Sequence, residues 1–395
     1  MWLRDSANQL QSYKPILNDT AAEGDKNNIG RLYRGAINLQ ARYLRKYPYC
    51  NSFQPPAESK IPPVNHKKRS LVRRADTVKP PYDPDEVWEC KYELDSIAAF
   101  LQLSWDYYDA TGDAAFFGKF KWRDTVAGLL DVARGLMIGT YAEDGSVNDS
   151  PYTWLRDSNS ATETVSNSGH GNPVEGYIGM VRSFFRPSDD STIYQYFVPA
   201  NMMFASNLEH CAKIMKDIDG GLASQMEKMA AGIREAINQY AIVKHPKYGE
   251  IYAFEVDGYG SVNFMVRWRN RLKHNFIIKV LTLSLQDDAN IPSLLSIPHL
   301  GYDSMDSEVY QRTRDYVLST SNPYWGWGPV LNSTGGPHLG PGMAWPMGVI
   351  MRIMTTDDDD EIVFGLKQLL GSTSGLGLMH ESVNTHDESD WTRSW

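Results

Sequence analysis

The sequence predicts an all-α protein built of successive helical hairpins. Two observations carry this. Apolar residues recur at helical spacing in segment after segment, and long runs rich in Gly, Pro, Ser and Asn separate those segments. Strands, if any, are short.

Over residues 89–112 the stripe is Ile97, Phe100, Leu101, Trp105 and Tyr108, and Gly112 ends it. Asp113 then caps a second helix, with Trp122, Val126, Leu129, Leu130, Ala133 and Met137 on its apolar face. Comparable stripes occupy 201–215, 222–242, 307–318, 342–353 and 361–370. The acidic run Asp357 to Asp360 precedes the last of these, where the positive end of a helix dipole favours it without any metal.

Two segments break the pattern. Residues 55–85 are Pro-rich with basic patches at Lys67-Lys68-Arg69 and Arg73-Arg74, and read as a solvated surface insertion. Residues 266–286 are basic and then apolar. They fit an amphipathic or membrane-surface helix, or better, with Val and Gln at their ends, a translated unspliced intron.

The 395 residues contain 11 Trp and 22 Tyr, whose rings either pack a core or stack on the C–H faces of sugars. A net charge of −9 argues against a nucleic-acid partner and suits a neutral substrate held by carboxylates. Cys50, Cys90 and Cys211 cannot all pair and lack metal-ligand spacing, so a disulfide scaffold is not expected. No apolar run is long enough to span a bilayer. The chain opens inside a motif and stops abruptly at Thr392-Arg393-Ser394-Trp395, so a single catalytic domain incomplete at both termini is expected, with no signal region in it.

Phosphate loops, HExxH, CxxC and GxSxG elbows are missing, so carboxylates in aromatic, Gly-rich loops are the candidate chemistry. In glycoside hydrolysis one carboxylic acid protonates the leaving oxygen and a second carboxylate attacks or activates water. Asp189-Asp190 suits the acid, since adjacent carboxylates resist joint ionisation and Arg186 can hold the charged one. The plainer alternative is a helix cap. Glu381, between His380 and Ser382, is the other candidate, and His338 and His380 are hydroxyl-binding or structural groups.

Taken in order, MWLRDSANQ, WECKYELDSI, GNPV, FRPSDD with VPANMMF, YAFEVDG, DDANIPSLL, NPYWGWG, GGPH, AWPMG, MHESVN and TRSW resemble glycoside hydrolase family 125, the metal-independent exo-α-1,6-mannosidases. The 55–85 insertion is similar to fungal members. The resemblance implies an (α/α)6 barrel, an α-1,6-linked mannoside as substrate, no cofactor and no metal. It also implies inversion, with Glu381 as general base, Asp189 favoured over Asp190 as acid, and their carboxyls about 6.5–9.5 Å apart. Arg4 and Asp5, with Trp2, would grip the terminal sugar. Glu93, Asp95, Arg156, Asn172, Arg186, Trp327, His338, Trp345 and His380 would line the pocket. An α-glucosidase of the related barrel class and a non-catalytic mannoside-binding protein are the alternatives. A glycan substrate favours the secretory pathway or the extracellular space. Oligomeric state is not legible.

One internal repeat bears on this. WLRDS occurs at 2–6 and again at 154–158. The first copy is expected to hold the sugar and the second to frame the wall beside it, with Arg156 facing the pocket and Asp157 a cap.

Overall fold

The computed structural model describes residues 1–17, 28–63, 76–260 and 283–393. Its helices are α1 (Leu3–Gln11), α2 (Ile29–Lys46), α3 (Leu94–Thr111), α4 (Ala114–Lys119), α5 (Trp122–Gly135), α6 (Val198–Met215), α7 (Gly220–Ala236), α8 (Glu308–Val317), α9 (Pro346–Met354) and α10 (Asp359–Gly371). Two of them, α3 and α6, are buried on nearly every face, whereas α2, α5 and α7 bury one face each. A helix apolar all round belongs to an inner layer, and a one-sided helix covers it. Accordingly α6 packs between α3 and α7, α1 and α2 pack on α3, and α9 packs on α10. The all-α toroid expected from the sequence is present.

Local chemistry sets the helix ends. Gly112 closes α3 in the left-handed conformation at φ 67°, and the Asp113 side chain caps α4 through Phe116 N–H. Asp113 therefore caps α4 rather than the helix that starts at Trp122; the chain breaks between them at Phe120 and Lys121. Asp358 in the acidic run accepts from the amides of Asp360 and Glu361, as the dipole argument requires. The stripe expected to run to residue 242 ends at Ala236, continues as a π turn over Ile237–Ala241, and becomes a strand at Ile242–His245. Likewise Met343–Ala344 pair as a strand with Val383–Asn384, so α9 begins only at Pro346.

Short sheets join the loops, and among the described residues no strand exceeds the five residues of Asp387–Trp391. Ser52–Phe53 pairs with Val87–Glu89, which brings Cys50 and Cys90 together as a disulfide. The three cysteines could not all pair, and they form this one bond, with Cys211 buried in α6. Of the 55–85 insertion, residues 57–63 are exposed and 64–75 lie outside the described residues. Its strand Thr77–Lys79, however, pairs with Thr153–Leu155, so it is not wholly a solvated appendage. Most of 266–286 also lies outside the described residues. Its end, Leu283–Ser284, pairs with Glu255–Val256. No described helix is long and apolar enough to cross a membrane.

A buried amide anchors the approach to the acidic pair. Asn201 in α6 donates to Val181 O at 2.9 Å and accepts from Val181 N at 2.8 Å, which fixes the segment leading into the Arg186–Asp190 loop.

Candidate active site

Arg4, in the first turn of α1, donates from Nη1 to Glu93 at 3.0 Å and Asp95 at 2.8 Å, and from Nη2 to the Pro187 carbonyl at 3.0 Å. One planar guanidinium thus ties α1, the start of α3 and the 186–190 loop together. This differs from a donor set aimed at sugar hydroxyls. The group left open is Asp5, 52% exposed and 3.6 Å from Nη2. Loss of hydration outweighs Arg4 at Glu93 and pushes its carboxyl well above the usual carboxylate range. The same cause raises Asp95. Glu93 Oε1 and Asp95 Oδ1 are buried without a protein hydrogen bond, an arrangement that needs either a retained proton or a ligand hydroxyl.

The Arg186–Asp190 loop folds on itself: Arg186 N–H donates to Asp190 O at 2.8 Å, and Asp189 N–H to Arg186 O at 3.0 Å. No helix follows, so the cap alternative fails. Asp189 sits at φ +68°, a strained conformation for a residue with a Cβ, at a cost of about 1–2 kcal/mol. The two carboxylates then diverge. Asp189 is 53% exposed and receives Lys91 Nζ at 3.0 Å. Although lost hydration is the largest single influence on it, Lys91 and Arg4 together hold it below the usual carboxylate range. Asp190 is buried, accepts from Ser188 Oγ at 3.0 Å, and lies 3.2 Å from His338 Nδ1.

Burial opposes charge on His338, but Asp190, Asp288 and Glu381 overcome it and raise its pKa. The imidazole therefore links the 186–190 loop electrostatically to Glu381, and its ring meets Trp345 edge-on at 5.6 Å. Trp345 is buried, with its indole N–H unpartnered. Glu381 is buried too, clamped by Arg393 from Nη2 at 2.5 Å and Nε at 3.0 Å, while its own N–H donates to Arg393 O. A carboxylate has about four lone-pair directions, so this clamp leaves room for a water. His380 stacks on Trp391 at 4.1 Å.

Other expected pocket residues are placed differently. Arg186 does not hold Asp189 or Asp190 by its side chain. It is buried against Glu255 at 2.6 Å, over the Phe254 ring, and Glu255 also accepts from the amides of Ile193 and Tyr194. Asn172 spends its amide on the loop, donating to Ile193 O and accepting from Ser166 and Asn167. Arg156 forms a bidentate pair with Asp76 of the insertion and reaches Glu89 at 3.3 Å. Trp327 is 62% exposed. Its neighbour Gly328 lies so close to the Thr385 carbonyl that a Cβ would stand 2.2 Å from that oxygen, which seats this loop on the one carrying Glu381. Trp2 is 38% exposed and edges Trp88 at 6.2 Å.

Three residues absent from the expected set belong here. Lys91 is buried beside Asp189, with Glu89 3.7 Å away, so charge runs from Asp76 through Arg156, Glu89 and Lys91 to Asp189. Asp288 is buried, raised by lost hydration and by Asp190, with Oδ2 unpartnered beside Gly336. Glu255 is the third, through Arg186. The DDAN and KYELDS contexts marked the first two only as motif neighbours.

A helical toroid that sets Asp5 of α1 and Glu93 and Asp95 at the start of α3 beside the loop of Asp189 and Asp190, with Glu381 coupled to that loop through His338, defines a glycoside hydrolase scaffold. The family model of metal-independent α-mannosidases matches residues 1–266 and 281–395, and the chain belongs to glycoside hydrolase family 125. It is 42% identical over 397 residues to the meiotically up-regulated gene 157 protein of Schizosaccharomyces pombe, covering 100% of this chain and 71% of that one. A solved metal-independent α-mannosidase of Streptococcus pneumoniae, in a non-productive complex with α-1,6-mannobiose, superimposes with TM-score 0.81 at 31% identity, covering 100% of this chain and 82% of that one. A further solved glycosidase shares the fold alone, at TM-score 0.51 and 12% identity over 100% of this chain and 82% of that one. The architecture is the (α/α)6 barrel.

Proposed function

We propose that the protein is an exo-acting, inverting α-1,6-mannosidase that removes terminal mannose from N-glycan or mannan-type oligosaccharides. The observation that carries this is the division of labour among carboxylates: an exposed Asp189 on strained backbone, and a buried Glu381 held by Arg393. The S. pneumoniae complex with α-1,6-mannobiose supports the linkage. Asp189 protonates the glycosidic oxygen as the bond to the anomeric carbon breaks. Glu381 takes a proton from the water that attacks the opposite face, and the configuration inverts. Asp5, Glu93 and Asp95 accept hydroxyls of the terminal sugar. Bound sugar displaces water from Asp189, which favours its neutral form and opposes Lys91. The Cys50–Cys90 bond supports an oxidising compartment, in keeping with the secretory pathway.

Proton NMR of α-1,6-mannobiose hydrolysis without added metal is the test. β-Mannose is expected as the first product, unaffected by a chelator. First-formed α-mannose, loss of activity with the chelator, or faster cleavage of isomaltose overturns the proposal.

Lys91→Met gives a second test. Removing the ammonium raises the Asp189 pKa, so the acid keeps its proton to higher pH. The basic limb of kcat/KM should move to higher pH. A limb that stays in place or moves down separates Asp189 from the acid role.

A further inference from the structure

We infer that the cavity between the 138–150 and 167–173 loops is a binding site for a small oxyanion, namely phosphate, free or carried on a sugar. The cavity, of about 340 Å³, is lined by Thr140, Asn148, Asn167, His170 and Arg182 among others, and shares no lining residue with the active-site cluster. Arg182 is its key group. It is 4% exposed, and no carboxylate lies within ion-pair reach of it among the described residues. Its Nε donates to Leu136 O at 3.3 Å, at the C-terminal end of α5, and its guanidinium lies 5.6 Å from the Phe184 ring.

The contrast with the other enclosed arginines is direct. Arg4 has Glu93 and Asp95, Arg186 has Glu255, and Arg314 has Glu361. A buried cation without an anion is unfavourable unless something supplies the missing charge. Burial lowers the Arg182 pKa, and only the hydroxyls of Tyr196, Tyr92 and Tyr49 oppose that. With Nε committed to Leu136, the terminal nitrogens of the guanidinium remain for two oxygens of a ligand.

The rim suits the same ligand. His170 is exposed and can donate to a third oxygen, and the amides of Asn148 and Asn167 are already oriented by Gly139 O and Gly171 O. Asp149 is the one carboxylate in the lining, and Lys79 neutralises it with Nζ 2.8 Å from both oxygens. A phosphate has more peripheral oxygens than a carboxylate and fills this set better. The site stands whether or not the protein is a mannosidase.

Thermal unfolding and calorimetry with inorganic phosphate and with mannose 6-phosphate, against sodium chloride of matched ionic strength, test it. Phosphate should raise Tm saturably, by about 3 °C at a hundredfold excess over Kd. R182Q should abolish the shift and the heat of binding while hydrolysing mannobiose at the wild-type rate. At least tenfold tighter binding of mannose 6-phosphate means that the anion arrives on a sugar, and equal affinities mean free phosphate. The absence of saturable binding, or an unchanged Kd in R182Q, overturns the inference. Should R182Q fail to fold, His170→Ala decides: a Kd raised about tenfold supports the site, and an unchanged Kd overturns it.

Discussion

Glu381→Gln should lower kcat on α-1,6-mannobiose by about 10³–10⁴-fold, the scale of general-base catalysis. The substitution keeps shape and one acceptor for Arg393, whose clamp at 2.5 and 3.0 Å fixes the side chain beside its hairpin. It removes the negative charge that takes a proton from water. Folding should survive, because the amide still accepts from Arg393, which lies at the surface with its side chain 69% exposed. KM should change little, since a base acts on water rather than on the sugar. The loss should persist with an aryl mannoside whose leaving group needs no proton, because water must still be activated. Steady-state rates on both substrates decide, and a variant within tenfold of the wild type on either removes Glu381 from the base role.

How far the site was legible depended on whether its determinants were local. The helices α3 and α6 are visible because apolar residues recur at helical spacing along them, although both are buried on nearly every face. α2 keeps a regular stripe of Tyr33, Ile37, Ala41 and Leu44 with Arg31, Arg34, Arg42 and Arg45 off the buried face, so it was legible by the same spacing rule and was missed. The Cys50–Cys90 bond depends on a two-stranded pairing between Ser52–Phe53 and Val87–Glu89, which no spacing rule reveals. The contact of His338 with Asp190 spans 148 positions and becomes visible only in the fold.

The two WLRDS copies make the same point. At 2–6 the segment starts α1, with Trp2 partly exposed and Arg4 in a carboxylate cluster. At 154–158 Trp154 and Leu155 belong to a strand, Trp154 is fully buried against Phe185, and Arg156 pairs with Asp76. Identical residues take different structures because Thr77–Lys79 offers the second copy a strand partner. Family resemblance found the candidate carboxylates. It did not supply Lys91, whose effect depends on a through-space distance to Asp189.

Asp189→Asn should reduce kcat on α-1,6-mannobiose by about 10²–10⁴-fold yet leave hydrolysis of 2,4-dinitrophenyl α-mannoside near the wild-type rate. A sugar leaving group needs the proton, whereas dinitrophenolate departs without it. Asparagine tolerates the left-handed backbone at φ +68°, so the loop should keep its geometry. The control is Asp190→Asn. That carboxylate is enclosed by Ser188 and His338, so its loss should disturb His338 and slow both substrates together. It should also lower the His338 pKa, since the carboxylate that sustains the imidazolium is gone, and NMR titration of the ring reads this directly. If instead Asp190→Asn loses mannobiose hydrolysis alone and Asp189→Asn loses both, the acid is the buried member of the pair. The exposed one, held charged by Lys91 and Arg4, is then a hydroxyl acceptor at the pocket wall.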